Sequence, residues 1–132
     1  MCSTVKQNIL IVDDEVRFAT MLSKRLALRG YDCDVVHDGE SALDLLTRRI
    51  YKLIVLDLRL PGLSGKDVLE RLNISHPGLP VIIMTGHGND IDRDECLRLN
   101  AHAFLQKPVD ISHLISIYEK INGPDDGNQT EG

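Results

Sequence analysis

The sequence has no excess of basic side chains, no metal-type spacing of cysteines and no long apolar run. Its 132 residues carry 15 Lys and Arg against 20 Asp and Glu, a net charge of -5, which disfavours direct binding to nucleic acid or to an anionic membrane surface. Cys2, Cys33 and Cys96 form no C-x-x-C pair, and we expect reduced thiols. No apolar run approaches the roughly 20 residues that span a bilayer, and residues 1–8 lack a signal-peptide core. We therefore expect a cytoplasmic chain without a membrane partner.

Five short apolar runs alternate with five longer amphipathic stretches. The runs cover residues 9–12, 31–37, 53–56, 81–84 and 103–105. Helical spacing follows each run, in residues 15–29, in the stretch carrying Ala42, Leu45 and Leu46, and in residues 66–75, 89–99 and 111–121, the last capped by Asp110. Five β-α pairs in this order predict one parallel sheet with helices on both faces. We expect one domain over residues 7–122, followed by a disordered tail or the start of a linker over residues 123–132.

Polar side chains follow four of the five predicted strands. Asp13 and Asp14 follow the first strand, Asp57 the third, Thr85 the fourth and Lys107 the fifth. Ligands of open parallel sheets bind beyond the carboxyl ends of the strands, near the point where the strand order reverses. Three carboxylates, a hydroxyl and an ammonium are therefore expected to converge at one edge.

The acids after the first strand argue against nucleotide binding, because Rossmann and P-loop sites place glycines there. Clustered carboxylates repel one another unless a cation joins them or one keeps its proton, and hard oxygen ligands suit Mg2+. With a cation bound, Asp57 can attack a phosphoryl donor, while Lys107, the Thr85 hydroxyl and backbone amides bind the phosphoryl oxygens.

Each of these residues also has a purely structural interpretation. Asp13 and Asp14 can cap the first helix and complement its dipole. Asp57 can form a turn, Thr85 can pack at a strand end, and Lys107 can be a solvated charge. Their combination at the strand ends is what favours the chemical interpretation.

Four motifs resemble those of response-regulator receiver domains: VDD at 12–14, LDLRLPGLSG at 56–65, MTG at 84–86 and FLQKP at 104–108. The resemblance covers residues 7–122. It implies the flavodoxin-like (βα)5 fold, with a five-stranded parallel sheet of order 2-1-3-4-5. It also implies a signalling domain rather than an enzyme. Such a domain takes a phosphoryl group from a sensor histidine kinase or a histidine phosphotransfer protein and catalyses only its own phosphorylation and dephosphorylation.

The resemblance assigns metal and acceptor roles to four residues. Asp57 is the phosphoacceptor and also a ligand of Mg2+, for which Mn2+ can substitute. Asp14 binds the metal directly, Asp13 holds a metal-bound water, and Arg59 contributes its backbone carbonyl.

It further implies a conformational switch. Thr85 and Lys107 bind the phosphoryl oxygens, and Phe104 turns inward when Thr85 moves toward the phosphate. This changes the surface of the fourth helix, fifth strand and fifth helix, which controls an output domain or a protein partner. Arg59 and His87 flank the site and tune the rate of dephosphorylation. A homodimer that forms on phosphorylation is one further option.

The sequence departs from the family pattern at two places. Asn100-Ala101 stands where many receivers have Gly-Ala, and asparagine tolerates the left-handed conformation at a helix end. The helix 89–99 has few apolar residues for packing. Which partner contacts its surface is left open.

Two other functions are considered. A phosphatase of the haloacid-dehalogenase type shares the aspartyl-phosphate chemistry, but it places its nucleophile after the first strand with a second acid two residues on. Here Arg59 stands two residues after Asp57, and 132 residues leave no room for a cap domain. The other alternative is a receiver-like interaction module that is never phosphorylated, which typically lacks one of the site residues. The sequence is also compatible with a receiver of a nitrogen-regulation-type activator, a stand-alone regulator or a piece of a hybrid kinase.

Overall fold

The computed structural model of the chain describes residues 7–86 and 88–123, except the side chain of Gln7. Most of the predicted tail therefore lies outside the described residues. The strands are β1 Gln7–Val12, β2 Tyr31–Val36, β3 Leu53–Asp57, β4 Val81–Thr85 and β5 Ala103–Gln106. The helices are α1 Val16–Leu28, α2 Gly39–Leu46, α3 Gly65–Ser75, α4 Asp90–Arg98 and α5 Ile111–Asn122.

The five strands form one parallel sheet in the order β2-β1-β3-β4-β5, which confirms the predicted fold. Each strand differs from its predicted run by one or two residues at one end. β2 ends at Val36, one residue before His37. Asp57, expected just beyond its strand, is the last residue of β3, because it still pairs in register with Met84 of β4.

The sheet separates two hydrophobic clusters, so its central strands are apolar on both faces. Leu10 and Leu56 lie in the cluster covered by α2, α3 and α4. Ile11 and Val55 lie in the cluster covered by α1 and α5. Each such aliphatic side chain contributes roughly 1.5–3 kcal/mol by leaving water, and this burial fixes the carboxyl ends of β1, β3 and β4 side by side.

Local capping sets the helix boundaries. Asp110 accepts hydrogen bonds from the amides of Ser112 and His113 at the start of α5, as predicted. α1 is different: its N-cap, Glu15, makes no side-chain capping bond. At the C-terminal ends of α1 and α4, Gly30 and Asn100 have φ of 92° and 72°. Asn100 therefore takes the left-handed conformation there.

Helix α4 is attached to the body mainly by polar contacts. Of its nine residues only Cys96 is fully buried. The ammonium of Lys66 on α3 contacts the carboxylates of Asp92, at 3.0 Å, and Glu95. Hydrophobic attachment of α4 is thus weak, as its sequence predicted. No helix in residues 7–86 and 88–123 is long and apolar enough to cross a bilayer.

Candidate functional site

The structure brings the predicted site residues together at the carboxyl edge of the sheet. Asp13 directly follows β1, and Asp57 and Thr85 are the last residues of β3 and β4; all three are buried. Lys107 directly follows β5, and Asp14 is exposed at the rim. Apart from the buried Asp13, these side chains help to line an open cleft of about 460 Å3.

Lys107 occupies the centre of the cluster. Its ammonium lies 2.8 Å from Asp13 Oδ2 and 3.3 Å from Asp57 Oδ2, and it also contacts Glu15 Oε1. The ring centroid of Phe18 is 4.7 Å from the same nitrogen, within cation–π range. Burial lowers the pKa of Lys107, but its contacts with the carboxylates outweigh that effect and raise the pKa above its usual value.

The surroundings of Asp57 disfavour the ionised form of its carboxyl group. Burial raises its pKa to about 6, and the negative charge of Asp13 adds to the rise. Two contacts oppose it: the backbone amide of Arg59 donates to Asp57 Oδ1 at 3.2 Å, and Lys107 binds Oδ2. The site therefore holds more negative charge than its single ammonium can neutralise.

These residues fit a divalent cation. Asp13, Asp14 and Asp57 each offer one carboxylate oxygen, and these oxygens lie within 4.8 Å of one another. Asp13 Oδ2 is buried and has no hydrogen-bond partner in the described part of the chain, but it forms an ion pair with Lys107. Oxygen ligands beside an open cleft, with surplus negative charge, suit Mg2+ or Mn2+.

Of the two predicted switch residues, Thr85 lines the cleft, whereas Phe104 is not among the lining residues. Phe104 is partly buried and packs on the cluster that includes Ile83 and Cys96. Gly88, in the loop between β4 and α4, stands against both switch residues, because a Cβ atom there would lie 2.5 Å from Phe104 Cζ and 2.5 Å from Thr85 Cγ2. His87, predicted to flank the site, lies outside the described residues, whereas Arg59 does line the cleft.

Several site residues were not predicted as such. Glu15 stands next to Asp13 and Asp14 but belongs to no predicted set of site residues, and Phe18 lies in helix α1. His37 belongs to none of the four motifs. It is exposed, but its ring Nδ1 lies 2.9 Å from the backbone oxygen of Asp13 and acts as the donor in that hydrogen bond. A signal for Glu15 existed in its adjacency to the acid pair, whereas the other two contacts depend on three-dimensional packing.

The fold is that of a doubly wound α/β protein. Its site is a carboxylate cluster whose oxygens fit a cation. The family model of the response regulator receiver domain matches residues 9–119. The chain belongs to this family, and it is a receiver domain of a two-component response regulator, a signalling domain. The phosphatase alternative gains no support from this membership.

The chain resembles curated regulators and solved receivers. It is 39% identical over 108 residues to the transcriptional regulatory protein CpxR of Escherichia coli K12, covering 82% of this chain and 46% of CpxR. It is 39% identical over 104 residues to the regulatory protein LuxO of Vibrio vulnificus, covering 79% and 23%. The crystal structure of the NtrX receiver domain from Brucella abortus is 34% identical with a TM-score of 0.80, covering 86% and 96%. The chain spans less than half the length of these two curated regulators.

Proposed function

We propose that this chain accepts a phosphoryl group on Asp57 in a Mg2+-dependent reaction. The observation that supports this most is the position of Asp57. Its carboxylate lines an open cleft and contacts the ammonium of Lys107, which also contacts the carboxylate of Asp13. Burial and Asp13 raise its pKa to about 6, whereas Lys107 and a bound cation favour the ionised form that attacks phosphorus.

The proposed reaction is an in-line displacement. One carboxylate oxygen of Asp57 attacks the phosphorus of a phosphohistidine, the P–N bond breaks, and its electron pair returns to the imidazole. The product is an acyl phosphate. The Arg59 amide holds Oδ1 of Asp57, and Lys107 and the Thr85 hydroxyl bind oxygens of the transferred group, which carries most of the charge.

The metal would be held by oxygen ligands of this chain. Asp13, Asp14 and Asp57 provide carboxylates within reach of one another, and the Arg59 carbonyl is proposed as a further ligand. Mg2+ supplies charge neutralisation and alignment of the phosphoryl oxygens. Mn2+ takes the same kinds of ligand.

We propose Thr85 and Phe104 as the relay to the surface formed by α4, β5 and α5. A phosphoryl dianion attracts the Thr85 hydroxyl, and the ring of Phe104 fills the space that Thr85 leaves. Arg59 and His87 would tune the lifetime of the phosphate.

The proposed partners follow from the family. The phosphoryl donor is a histidine kinase or a phosphotransfer protein, and the receiver unit, residues 7–122, controls an output domain or a separate protein. Because the chain spans less than half of CpxR or LuxO, an output domain would lie outside this sequence. We also propose that the chain forms a homodimer on phosphorylation, lies in the cytoplasm and makes no direct contact with nucleic acid.

The test is labelling with a small phosphoryl donor. Acetyl phosphate and Mg2+ should add one acid-stable, base-labile phosphoryl group to the wild-type chain, detectable as a mass increase. Asp57→Asn should not be labelled, whereas Asp94→Asn, which removes an exposed acid on α4, should be labelled normally. Equal labelling of Asp57→Asn would refute the assignment, and no labelling of the wild type would favour the interaction module that is never phosphorylated.

A further inference from the structure

We propose that Glu15 is a positioning residue that competes with the phosphoryl group for the Lys107 ammonium and so limits how tightly the site holds phosphoryl oxygens. This inference rests on the proposed function and extends it to a residue outside the acceptor, metal and switch set.

The three carboxylates around Lys107 differ in their freedom to move. The side chain of Asp13 is 0% exposed and that of Asp57 is 6% exposed, whereas that of Glu15 is 62% exposed. Asp13 is also fixed through Oδ1, which accepts a hydrogen bond from the Glu15 amide at 2.8 Å. Glu15 is therefore the most exposed of the three partners of Lys107.

The Lys107 ammonium can hardly bind a further ligand while it keeps all its present contacts. An ammonium has three N–H donors, and three carboxylates already surround that of Lys107. The ring of Phe18 lies 4.7 Å away and limits movement on another side. A phosphoryl oxygen must therefore compete with these carboxylates for the ammonium.

Displacement of Glu15 costs least. Asp13 cannot turn away from Lys107 because its side chain is buried, and Asp57 is the residue that carries the phosphoryl group. Release of Glu15 returns its carboxylate to water, which solvates it well. Phosphorylation would thus exchange the Lys107–Glu15 ion pair for an ion pair between Lys107 and a phosphoryl oxygen, with no covalent change at either side chain.

Removal of the competitor should strengthen binding of a phosphoryl mimic. At saturating Mg2+, Glu15→Gln should bind beryllofluoride about threefold to tenfold more tightly than the wild type, the range expected for losing one partly exposed charge contact. Binding can be followed by 19F and amide NMR, since the chain has no tryptophan for fluorescence. The Mg2+ affinity of each variant is measured separately, so that saturation is assured.

A second readout reports the contact itself. In the absence of beryllofluoride, the ammonium and ε-methylene signals of Lys107 should shift in Glu15→Gln. The matched control is Glu70→Gln, the same change at an exposed position on α3, which should alter neither readout.

The outcomes separate the two proposals. If the wild type binds beryllofluoride with Mg2+ but Glu15→Gln binds it no more tightly than Glu70→Gln, the role of Glu15 is wrong while the proposed function stands. An unshifted Lys107 signal in Glu15→Gln would also overturn the role of Glu15. If the wild type binds no beryllofluoride at all, the proposed function fails, and the inference about Glu15 falls with it.

Discussion

Phe104 packs its ring against Gly88 so closely that a methyl group at position 88 would lie 2.5 Å from Phe104 Cζ. The same methyl group would lie 2.5 Å from Thr85 Cγ2. Gly88 therefore lies against both members of the proposed relay. Because glycine has no side chain, Phe104 and Thr85 can occupy their present positions.

Gly88→Ala should displace the Phe104 ring or the Thr85 methyl group, because atoms 2.5 Å apart cannot coexist. We expect the variant to lose roughly 1–3 kcal/mol of unfolding free energy through overpacking and to shift the NMR signals of both residues before any phosphate mimic is added. Gly78→Ala is the control, since nothing lies within 4 Å of a Cβ atom there. Unchanged Phe104 and Thr85 signals in Gly88→Ala would contradict this packing.

Thr85→Ala should separate phosphate binding from its distant effect. The substitution removes the hydroxyl that is proposed to move toward the phosphate but leaves all the carboxylates in place. Mg2+ binding and labelling of Asp57 should therefore persist, while the beryllofluoride-induced amide shifts of residues 111–121 should shrink. Distant shifts as large as those of the wild type would show that the hydroxyl is not the relay.

Asp57→Asn should stabilise the metal-free protein near neutral pH. The folded-state pKa of about 6 lies above the ordinary 3.8, so the ionised native carboxylate is disfavoured. Its penalty is present above pH 6 and disappears as the pH falls through 6 toward 3.8. In EDTA at pH 7.5 we expect a gain of roughly 1–3 kcal/mol, measured by urea unfolding and circular dichroism, and almost none at pH 4. A gain that is equal at both pH values would exclude this electrostatic origin.

Lys66→Met should loosen α4. The variant loses the ion pairs with Asp92 and Glu95 that join α4 to α3, and Cys96 alone remains as a fully buried anchor. Amide hydrogen exchange in α4 should become roughly threefold to tenfold faster, with little change in α2 or α5. Arg48→Met, which breaks an exposed pair with Asp44, should leave α4 exchange unchanged. Protection of α4 equal to that of the wild type would mean that Lys66 does not hold the helix.

The sheet order and the edge of the site could be predicted because both follow from local pattern. Apolar runs 53–56 and 81–84 indicated strands, and parallel strands bring their carboxyl ends to the same edge of the sheet. Asp110 was predictable as a cap and Asn100 as a left-handed residue, since each depends on its own backbone.

The remaining contacts could not be predicted because they depend on packing between distant segments. The contact of Lys107 with Phe18 depends on which face of α1 turns toward the end of β5, and the sequence does not give that orientation. The pairing of Lys66 with Glu95 spans 29 residues. The fit of Gly88 against Phe104 depends on a close approach of two chain segments that sequence spacing does not encode.

The polar side chains buried in the described part of the chain are Asp13, Asp57 and Thr85, all at one edge of the sheet. A cation that binds this edge and not the unfolded chain raises stability by mass action, by about 2.7 kcal/mol at a hundred times its dissociation constant. Proteases act on the opened chain, so the cation-free form would be cleaved faster than the cation-bound form.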